Sequence, residues 1–173
     1  MRQLLTLITL VLFTMFNQTA NAQLKKFRVG LGLEGALPTG DLSNGYSVGG
    51  GLTARFELRP LHNLALNATA GAMIFAPKQV NSGYDIKPLL NIPIKFGVKY
   101  IFVGHLYGMI EAGNTNSHLY YYDQNSRSVL QTRTNNFTWA PSIGVQLIGF
   151  DIGLRYESFG SSNFTGLRLG FGL

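Results

Sequence analysis

Residues 28–34, Arg28-Val29-Gly30-Leu31-Gly32-Leu33-Glu34, alternate strictly between apolar side chains and residues that are either charged or glycine. Successive side chains of an extended chain point to opposite faces, so Val29, Leu31 and Leu33 share one face of a strand. The alternation recurs in seven later segments, whereas no later stretch places apolar residues at a sustained helical spacing. The sequence therefore predicts an all-β fold.

The predicted strands are joined by connections that alternate in length. The strands cover residues 28–34, 46–58, 64–74, 90–102, 106–113, 136–147, 150–157 and 164–173. The connections 38–45, 77–89 and 114–135 are long, and those between them, 59–63, 103–105 and 148–149, are short. Membrane barrels show this asymmetry between extracellular loops and periplasmic turns, and a sheet in hydrocarbon must close to pair its backbone. We therefore predict an eight-stranded antiparallel up-and-down transmembrane β-barrel, with its first strand paired to its last.

A secretory signal peptide is predicted at the start of the chain. Leu4–Phe16 form an apolar run that precedes the small residues Ala20-Asn21-Ala22. A membrane-spanning helix needs roughly 20 apolar residues, and this run is shorter. We expect cleavage near Ala22, which removes a signal peptide of residues 1–22 and leaves an outer-membrane barrel domain of residues 23–173. The absence of cysteine excludes a disulfide scaffold, a thiolate metal site and a lipoprotein anchor.

Charged residues within the predicted strands all fall on the polar face. They are Arg28, Glu34, Arg55, Glu57, Lys95, Lys99, Glu111, Asp151, Arg155, Glu157 and Arg168. A soluble lipocalin-like binder, which buries its apolar face and charges its outer one, would give the same pattern. The pattern of charges alone therefore leaves both arrangements open.

Two features favour a barrel whose apolar face is outside. Glycines crowd the charged face, where on a solvated surface they would weaken the strands without compensation. The lumen of an eight-stranded barrel is barely wide enough for side chains, so glycine there makes room for arginine and lysine. Aromatic residues also lie near both ends of the apolar faces, as in the interfacial girdles of membrane barrels. These girdle residues are Tyr100, Phe102, Phe150 and Phe171 near short turns, and Phe137, Trp139 and Phe164 near long loops.

Charges inside so narrow a barrel are costly unless they are paired. We expect a ladder of ion pairs, in which Lys95 faces Glu111 and Arg168 lies between Glu157 and Glu34. Such a ladder would plug the lumen and leave little or no conductance. A gated small-solute pore lined by the same charges is the alternative.

Candidate catalytic groups are few. Some small outer-membrane barrels are enzymes that act on lipid A, and the deacylase type uses a His-x-Ser-Asn segment late in the chain. Residues 158–163, Ser-Phe-Gly-Ser-Ser-Asn, resemble that segment but lack its histidine. His62 and His105 fall in predicted turns, and His118 falls in the longest loop. We therefore expect no enzymatic activity, no cofactor and no metal site, with a lipid A-modifying enzyme as the alternative.

The basic balance of the chain, with a formal net charge of +6, does not indicate nucleic acid, because many of its cations are predicted to point into the lumen. Outer-membrane lipid and lipopolysaccharide are the expected partners, the latter for Lys78, Lys87, Arg127 and Arg133. The loop 114–135, rich in tyrosine, asparagine and arginine, is the expected interaction surface. It could equally be an aromatic rim that marks the membrane edge. We expect a monomer.

The mature chain resembles the outer membrane protein β-barrel domain family, the OmpA-like and PorT-like small barrels. The resemblance is carried by Pro38-Thr39-Gly40-Asp41, by the glycine-rich strand from Val48, and by Leu90-Asn91-Ile92-Pro93 leading to Lys99-Tyr100. It implies an eight-stranded barrel inserted by the outer-membrane assembly machinery, and it transfers no catalytic residue. Many such barrels end in phenylalanine, whereas here Phe171 is followed by Gly172-Leu173. Together these features predict a non-enzymatic integral outer-membrane protein with a structural or surface-interaction role.

Overall fold

A computed structural model describes residues 27–78, 87–123 and 128–173, with residues 120–123 and 128–131 described as backbone only. The predicted signal peptide and its cleavage site lie outside these residues. The strands are β1 (Phe27–Gly40), β2 (Tyr46–Leu61), β3 (Leu64–Pro77), β4 (Leu89–Val103), β5 (Leu106–Asp123), β6 (Ser128–Leu147), β7 (Phe150–Phe159) and β8 (Ser162–Gly172), with one short helix, α1 (Leu42–Gly45), between β1 and β2. Within the described ranges, no helix is long and apolar enough to cross a bilayer.

The eight strands form a closed antiparallel barrel in which each strand pairs with its neighbours in sequence. The predicted closure of the first strand on the last is confirmed, because β1 pairs with β8 from Gly30 opposite Gly172 to Gly40 opposite Ser162. One end of the barrel, which we call the turn end, carries the turns at residues 62–63, 104–105 and 148–149. We call the opposite end, where α1 lies and the β5–β6 hairpin projects, the hairpin end. Closure leaves no sheet edge along the wall that the strands share.

The outer and inner faces of the wall differ completely in chemistry. Leu31 is 69% exposed and Phe96 is 66% exposed, and most large apolar side chains of the strands point outward in the same way. The eleven charges of the predicted strand segments all point inward, and Lys95, Lys99 and Glu111 have no exposed surface at all. Apolar residues outside and charges inside are the inverse of the arrangement in a soluble barrel.

The prediction that residues 114–135 form a loop is wrong, because most of these residues lie in strands. β5 and β6 continue to pair from Asn114 opposite Phe137 to Asp123 opposite Ser128. The strands reach 18 and 20 residues, about twice the length that a tilted strand needs to cross hydrocarbon. Apolar alternation disappears beyond the barrel wall because both faces of the hairpin there are free to be polar. Threonine and tyrosine still favour extended backbone, so the ladder continues without that signal.

A charge placed on the outer wall should separate this fold from a soluble barrel. Leu33, 63% exposed, lies opposite Leu52 and Leu169 at the middle of β1. In phospholipid vesicles we expect Leu33→Lys to lower the free energy of unfolding by about 2–4 kcal/mol, as lysine does near a bilayer midplane. Val103→Lys, beside the turn at residues 104–105, should cost roughly 1 kcal/mol or less. Guanidinium titrations followed by the fluorescence of the sole tryptophan, Trp139, measure both, and equal small losses would contradict the prediction.

Candidate functional site: the lumen

Ionisable side chains fill the turn-end half and the middle of the lumen. Within the described residues, the buried charges are five cations and five carboxylates: Arg55, Lys95, Lys99, Arg155 and Arg168, with Glu34, Glu57, Glu111, Asp151 and Glu157. We call this set the charge network. All ten were predicted to point inward, as was Arg28, which is half-buried at the turn end. The predicted ion pair of Arg28 is wrong, because its guanidinium donates to the Gly149 carbonyl and makes no ion pair within the described residues. A balanced set matters because an unpaired charge in a dry interior costs several kcal/mol, on the order of 3–5 when a partner is removed.

Lys99 is the centre of the turn-end half of the charge network. Its Nζ donates to Glu57 at 3.0 Å and Asp151 at 3.3 Å, and to the Gln146 amide oxygen at 3.0 Å. The ammonium also lies 4.0 Å from the centre of the Tyr107 ring, whose hydroxyl donates to Asp151 at 3.0 Å. The ammonium's three protons thus have acceptors, and the ring face supplies further negative potential.

Lys95 pairs with Glu157 across the middle of the lumen, and Arg155 joins Glu157 to Glu34. The predicted Lys95–Glu111 pair is therefore wrong. In the β4–β5 register, Lys95 lies opposite Gly113 and Glu111 lies opposite Gly97, so the two side chains are offset along the wall. Long side chains in a narrow lumen reach across it, and cross-lumen partners depend on strand stagger rather than on adjacency in the sheet.

Glu111 is instead held by neutral donors. Asn67 Nδ2 donates to its Oε1 at 2.7 Å, and the Thr69 hydroxyl donates to the same oxygen at 2.5 Å. Thr69 in turn accepts a hydrogen bond from Arg55 Nε at 3.3 Å, which links Glu111 to the nearest cation through one hydroxyl. The other carboxylate oxygen, Oε2, has no hydrogen-bond partner within the described residues.

Arg168 was predicted to lie between Glu157 and Glu34, and only the second contact is present. Its Nε is 3.7 Å from Glu34, across the β1–β8 seam. Its main ion pair is with Asp151 at 3.0 Å, and its Nε also donates to Thr53 at 3.2 Å. The predicted contact with Glu157 is wrong because, in the β7–β8 register, Arg168 lies opposite Gly153, four residues along β7 from Glu157.

Glycines on the inner wall accommodate the largest side chains of the lumen. A Cβ atom at Gly32 would lie 2.7 Å from Arg168 Cζ, and one at Gly170 would collide with the same guanidinium. Gly144 and Gly153 face each other on β6 and β7, and a Cβ atom at either would lie within 2.7 Å of the Tyr107 hydroxyl. These glycines therefore provide the space that the sequence pattern suggested.

The hairpin end of the lumen holds an apolar cluster beside the buried polar side chains of Asn91, Thr115 and Ser117. The residues of the apolar cluster, which we call the aromatic cap, are Ala36, Leu42, Tyr46, Met73, Phe75, Leu89, Phe159 and Phe164. The Phe164 ring lies 5.4 Å from the Phe75 ring and 5.5 Å from the Arg155 guanidinium, so the cap rests directly on the charge network. Leu42, the buried residue of α1, contributes to the cap from the helix between β1 and β2.

Phe164 was predicted to belong to the outer aromatic girdle, and this prediction is wrong. Phe164 is 1% exposed, because it shares the parity of Arg168 rather than that of the outward-facing Leu167 and Leu169. The other predicted girdle residues all point outward: Tyr100, Phe102, Phe137, Trp139, Phe150 and Phe171. The same parity places Phe75 and Phe159 inside, so the cap could have been found by extending each strand's alternation to its end.

One further cation, which the sequence did not place in the lumen, joins the network at the turn end. Arg59, predicted as a turn residue, lies 2.7 Å from Glu57 and donates to Gln146 at 2.8 Å. Gln146 also accepts from Lys99, so its amide connects the two cations. Nothing in the alternation indicated this role, because Arg59 lies beyond the last regular alternation of its strand.

The candidate catalytic residues are far apart. His62 and His105 lie in turns at the turn end, whereas Ser158 lies near the opposite end, across from Trp139 and Asn163. His118 is on β5, opposite Arg133 and six residues beyond Ala112, the β5 partner of Trp139. Six strand residues correspond to roughly 20 Å along the wall.

In the part of the chain that the structure describes, no group of three or more His, Cys, Asp or Glu side chains could hold a metal ion.

The backbone is similar to those of solved small eight-stranded outer-membrane barrels. The attachment invasion locus protein Ail of Yersinia pestis superposes with a TM-score of 0.63 at 9% identity, covering 85% of this chain and 97% of Ail. A second Ail structure, in complex with the heparin analogue sucrose octasulfate, gives a TM-score of 0.58 at 12% identity, covering 85% of this chain and 97% of that one.

Two further barrels are similar to the same extent. The N-terminal β-barrel domain of Pseudomonas aeruginosa OprF gives a TM-score of 0.56 at 11% identity, covering 84% of this chain and 97% of the domain. Neisserial surface protein A gives a TM-score of 0.53 at 12% identity, covering 86% of this chain and 97% of that protein's chain. No protein-family model and no curated protein sequence matches the chain. At these identities the likeness establishes the fold alone.

Removing one member of the buried Lys95–Glu157 pair should lower the free energy of unfolding substantially. Removing both members should lower it by less than the sum of the two single losses. Lys95→Met leaves Glu157 with Arg155 alone, and we expect a loss of about 3–5 kcal/mol in the free energy of unfolding. The double variant Lys95→Met/Glu157→Gln should recover a measurable part of the summed losses. Denaturant titrations of the four proteins in one double-mutant cycle give the coupling energy. Additive losses would contradict a direct pairing of these two side chains.

Proposed function

We propose that this chain is an integral outer-membrane protein, inserted by the outer-membrane assembly machinery after its signal peptide is cleaved near Ala22, and acting as a monomer without enzymatic activity. The observation that carries the proposal is the inversion of the barrel, with apolar side chains over the outer wall and ionised ones in the lumen. For a monomer in water, so continuous an apolar outer surface is energetically unfavourable, whereas contact with lipid acyl chains favours it. The similar outer-membrane barrels support the same location.

The lumen is proposed to be plugged. Its turn-end half and middle are crossed by ion pairs from β2, β4, β7 and β8, and its hairpin end is filled by the aromatic cap. An ion entering from the hairpin end would have to displace the cap, and one entering from the turn end would have to break paired charges in a dry environment. A closed plug is therefore favoured over a gated small-solute pore lined by the same residues.

The absence of enzymatic activity is proposed from the separation of the candidate groups. A nucleophilic serine needs a base within hydrogen-bond reach, about 2.6–3.2 Å. The residues that resemble the deacylase segment, from Ser158 to Asn163, lie at the hairpin end, whereas His62 and His105 lie at the turn end. His118 lies on the hairpin, well beyond the level of Ser158.

The role is proposed to be structural or one of surface interaction, with the β5–β6 hairpin as the contact surface. Exposed cations lie at the same end: Lys78 donates to the Ser43 carbonyl at 2.5 Å, and Arg133 donates to Asn116 at 3.4 Å. Lys87 precedes β4 at this end, and Arg127 lies outside the described residues. Their proposed partner is the anionic lipopolysaccharide of the outer leaflet. The complex of Ail with a sulfated sugar analogue shows that a barrel of this fold can bind a polyanion.

Membrane insertion and plugging are tested with one purified, refolded protein. We expect extraction from membranes only by detergent, heat-modifiable migration on a gel, and no nanosiemens-scale steps in planar bilayers, because paired charges and the aromatic cap obstruct the lumen. A general porin in the same bilayers is the positive control. A folded monomer that is soluble without detergent would overturn the membrane proposal, and stable open steps would overturn the plug.

The proposed lipopolysaccharide contact is tested by thermal unfolding in non-ionic detergent. Added lipopolysaccharide should raise the unfolding temperature, because a ligand that binds the folded state stabilises it, and added salt should diminish the rise. Lys78→Gln/Arg133→Gln should reduce the rise by about half, as two of the proposed cations are lost. His62→Gln, which changes an exposed side chain at the opposite end, is the control. An equal reduction in both variants would contradict a contact at the hairpin end.

A further inference from the structure

The turn end of the barrel holds an open, basic depression that the proposed function does not use. Two adjoining cavities of about 370 and 200 Å³ share the lining residues Arg28, Arg59, Ile148 and Gly149. Their remaining walls come from turn residues, from Ile101 of β4 and Gln146 of β6, and from residues 171–173, and no acidic side chain lines either one. A concave site with two guanidinium groups and no acidic side chain in its lining attracts anions.

Arg28 is the better placed of the two cations. Its Nη2 donates to the Gly149 carbonyl at 2.6 Å, and within the described residues its guanidinium makes no ion pair. Gly172 lies directly against the side chain, since a Cβ atom there would lie 2.7 Å from Arg28 Nε. The guanidinium is therefore held in place by a neutral acceptor and by close packing, while its positive charge is not neutralised by a bound carboxylate.

The charge balance of the lumen points to the same place. The five buried cations of the charge network are matched by its five carboxylates. Arg28 and Arg59 are additional to this balanced set, and the carboxylate nearest Arg59, Glu57, is already paired with Lys99. The surplus positive charge of the interior is thus concentrated at the turn end, in the depression.

The depression is blind. Behind it, Arg28 and Gly172 border a cavity of about 20 Å³ whose walls include Arg55, Glu57 and Arg168 of the charge network. A space of this size holds about one water molecule. An anion that enters the depression therefore meets paired side chains rather than a continuing passage, and it would be bound rather than conducted.

We propose that the depression at the turn end is an anion-binding site for a phosphate group, held by the guanidinium groups of Arg28 and Arg59. Planar guanidinium groups match phosphate oxygens with paired N–H donors, and two of them favour a group that carries more than one charged or polar oxygen. The phosphate could be free or belong to a phospholipid headgroup, since the chemistry of the contact is the same. The site lies at the opposite end from the proposed surface contact and is independent of it.

The test follows backbone amide resonances of Gly149 and Gly172 in the full mature barrel, in non-ionic detergent at constant ionic strength. One arm adds inorganic phosphate, and the other adds a short-chain phosphatidylglycerol below its micelle concentration. Saturable shifts at both glycines in either arm support the site, and the arm that responds identifies the source. The absence of saturable shifts in both arms would overturn the proposal.

Substitution of Arg28 provides the residue-level test. Arg28→Gln should weaken binding about tenfold, the usual effect of losing one charge-assisted hydrogen bond. His62→Gln, which changes an exposed turn-end side chain that lines neither cavity, should leave the affinity unchanged. If Arg28→Gln fails to give heat-modifiable barrel, Arg28→Lys replaces it, because lysine keeps the charge and loses the paired donors. Unchanged affinity in the Arg28 variant, or an equal loss in His62→Gln, would overturn the proposal.

Discussion

The structure depends on one constraint, which is that strand charges can only point inward when the outer wall meets hydrocarbon. A closed sheet satisfies its own backbone, so the wall can be apolar on its outer surface without exposing N–H or C=O groups. A strand charge within the wall then enters a narrow lumen, where being left without a partner is costly. The equal numbers of buried cations and carboxylates in the described residues follow from this cost.

A narrow lumen has a second consequence, which is that large side chains must be matched by small residues on the inner wall, just as cations must be matched by carboxylates. Arg168 occupies the space over Gly32 and Gly170, and the Tyr107 ring occupies the space over Gly144 and Gly153. The space for each large side chain thus comes from glycines on other strands and, for Arg168, also from Gly170 on its own strand. A glycine in such a wall is therefore a packing residue, even though it weakens the strand that carries it.

Alternation in the sequence was sufficient to predict the eight strands and the inward direction of the charges on their regular segments, because both follow from the period of two. Closure was predicted from a different argument, the need to pair every backbone group in hydrocarbon. Alternation was not sufficient to predict ion-pair partners. Lys95 reaches Glu157 rather than Glu111 because partners across a lumen are set by stagger, which no single strand encodes. The length of the β5–β6 hairpin was missed for another reason, since beyond the membrane the pairing continues without apolar alternation.

The aromatic cap and the charge network depend on each other. Ion pairs are strong only where water is excluded, and the cap closes the hairpin end over Arg155, with the Phe164 ring 5.5 Å from its guanidinium. The cap in turn needs a rigid support, because an apolar cluster at the mouth of an open pore would have solvent on both sides. The turn end has no such cap, and it is there that Arg28 and Arg59 are left in an open depression. The interior therefore changes along the barrel axis, with the aromatic cap at one end, a balanced set of charges in the middle, and a basic, accessible depression at the other.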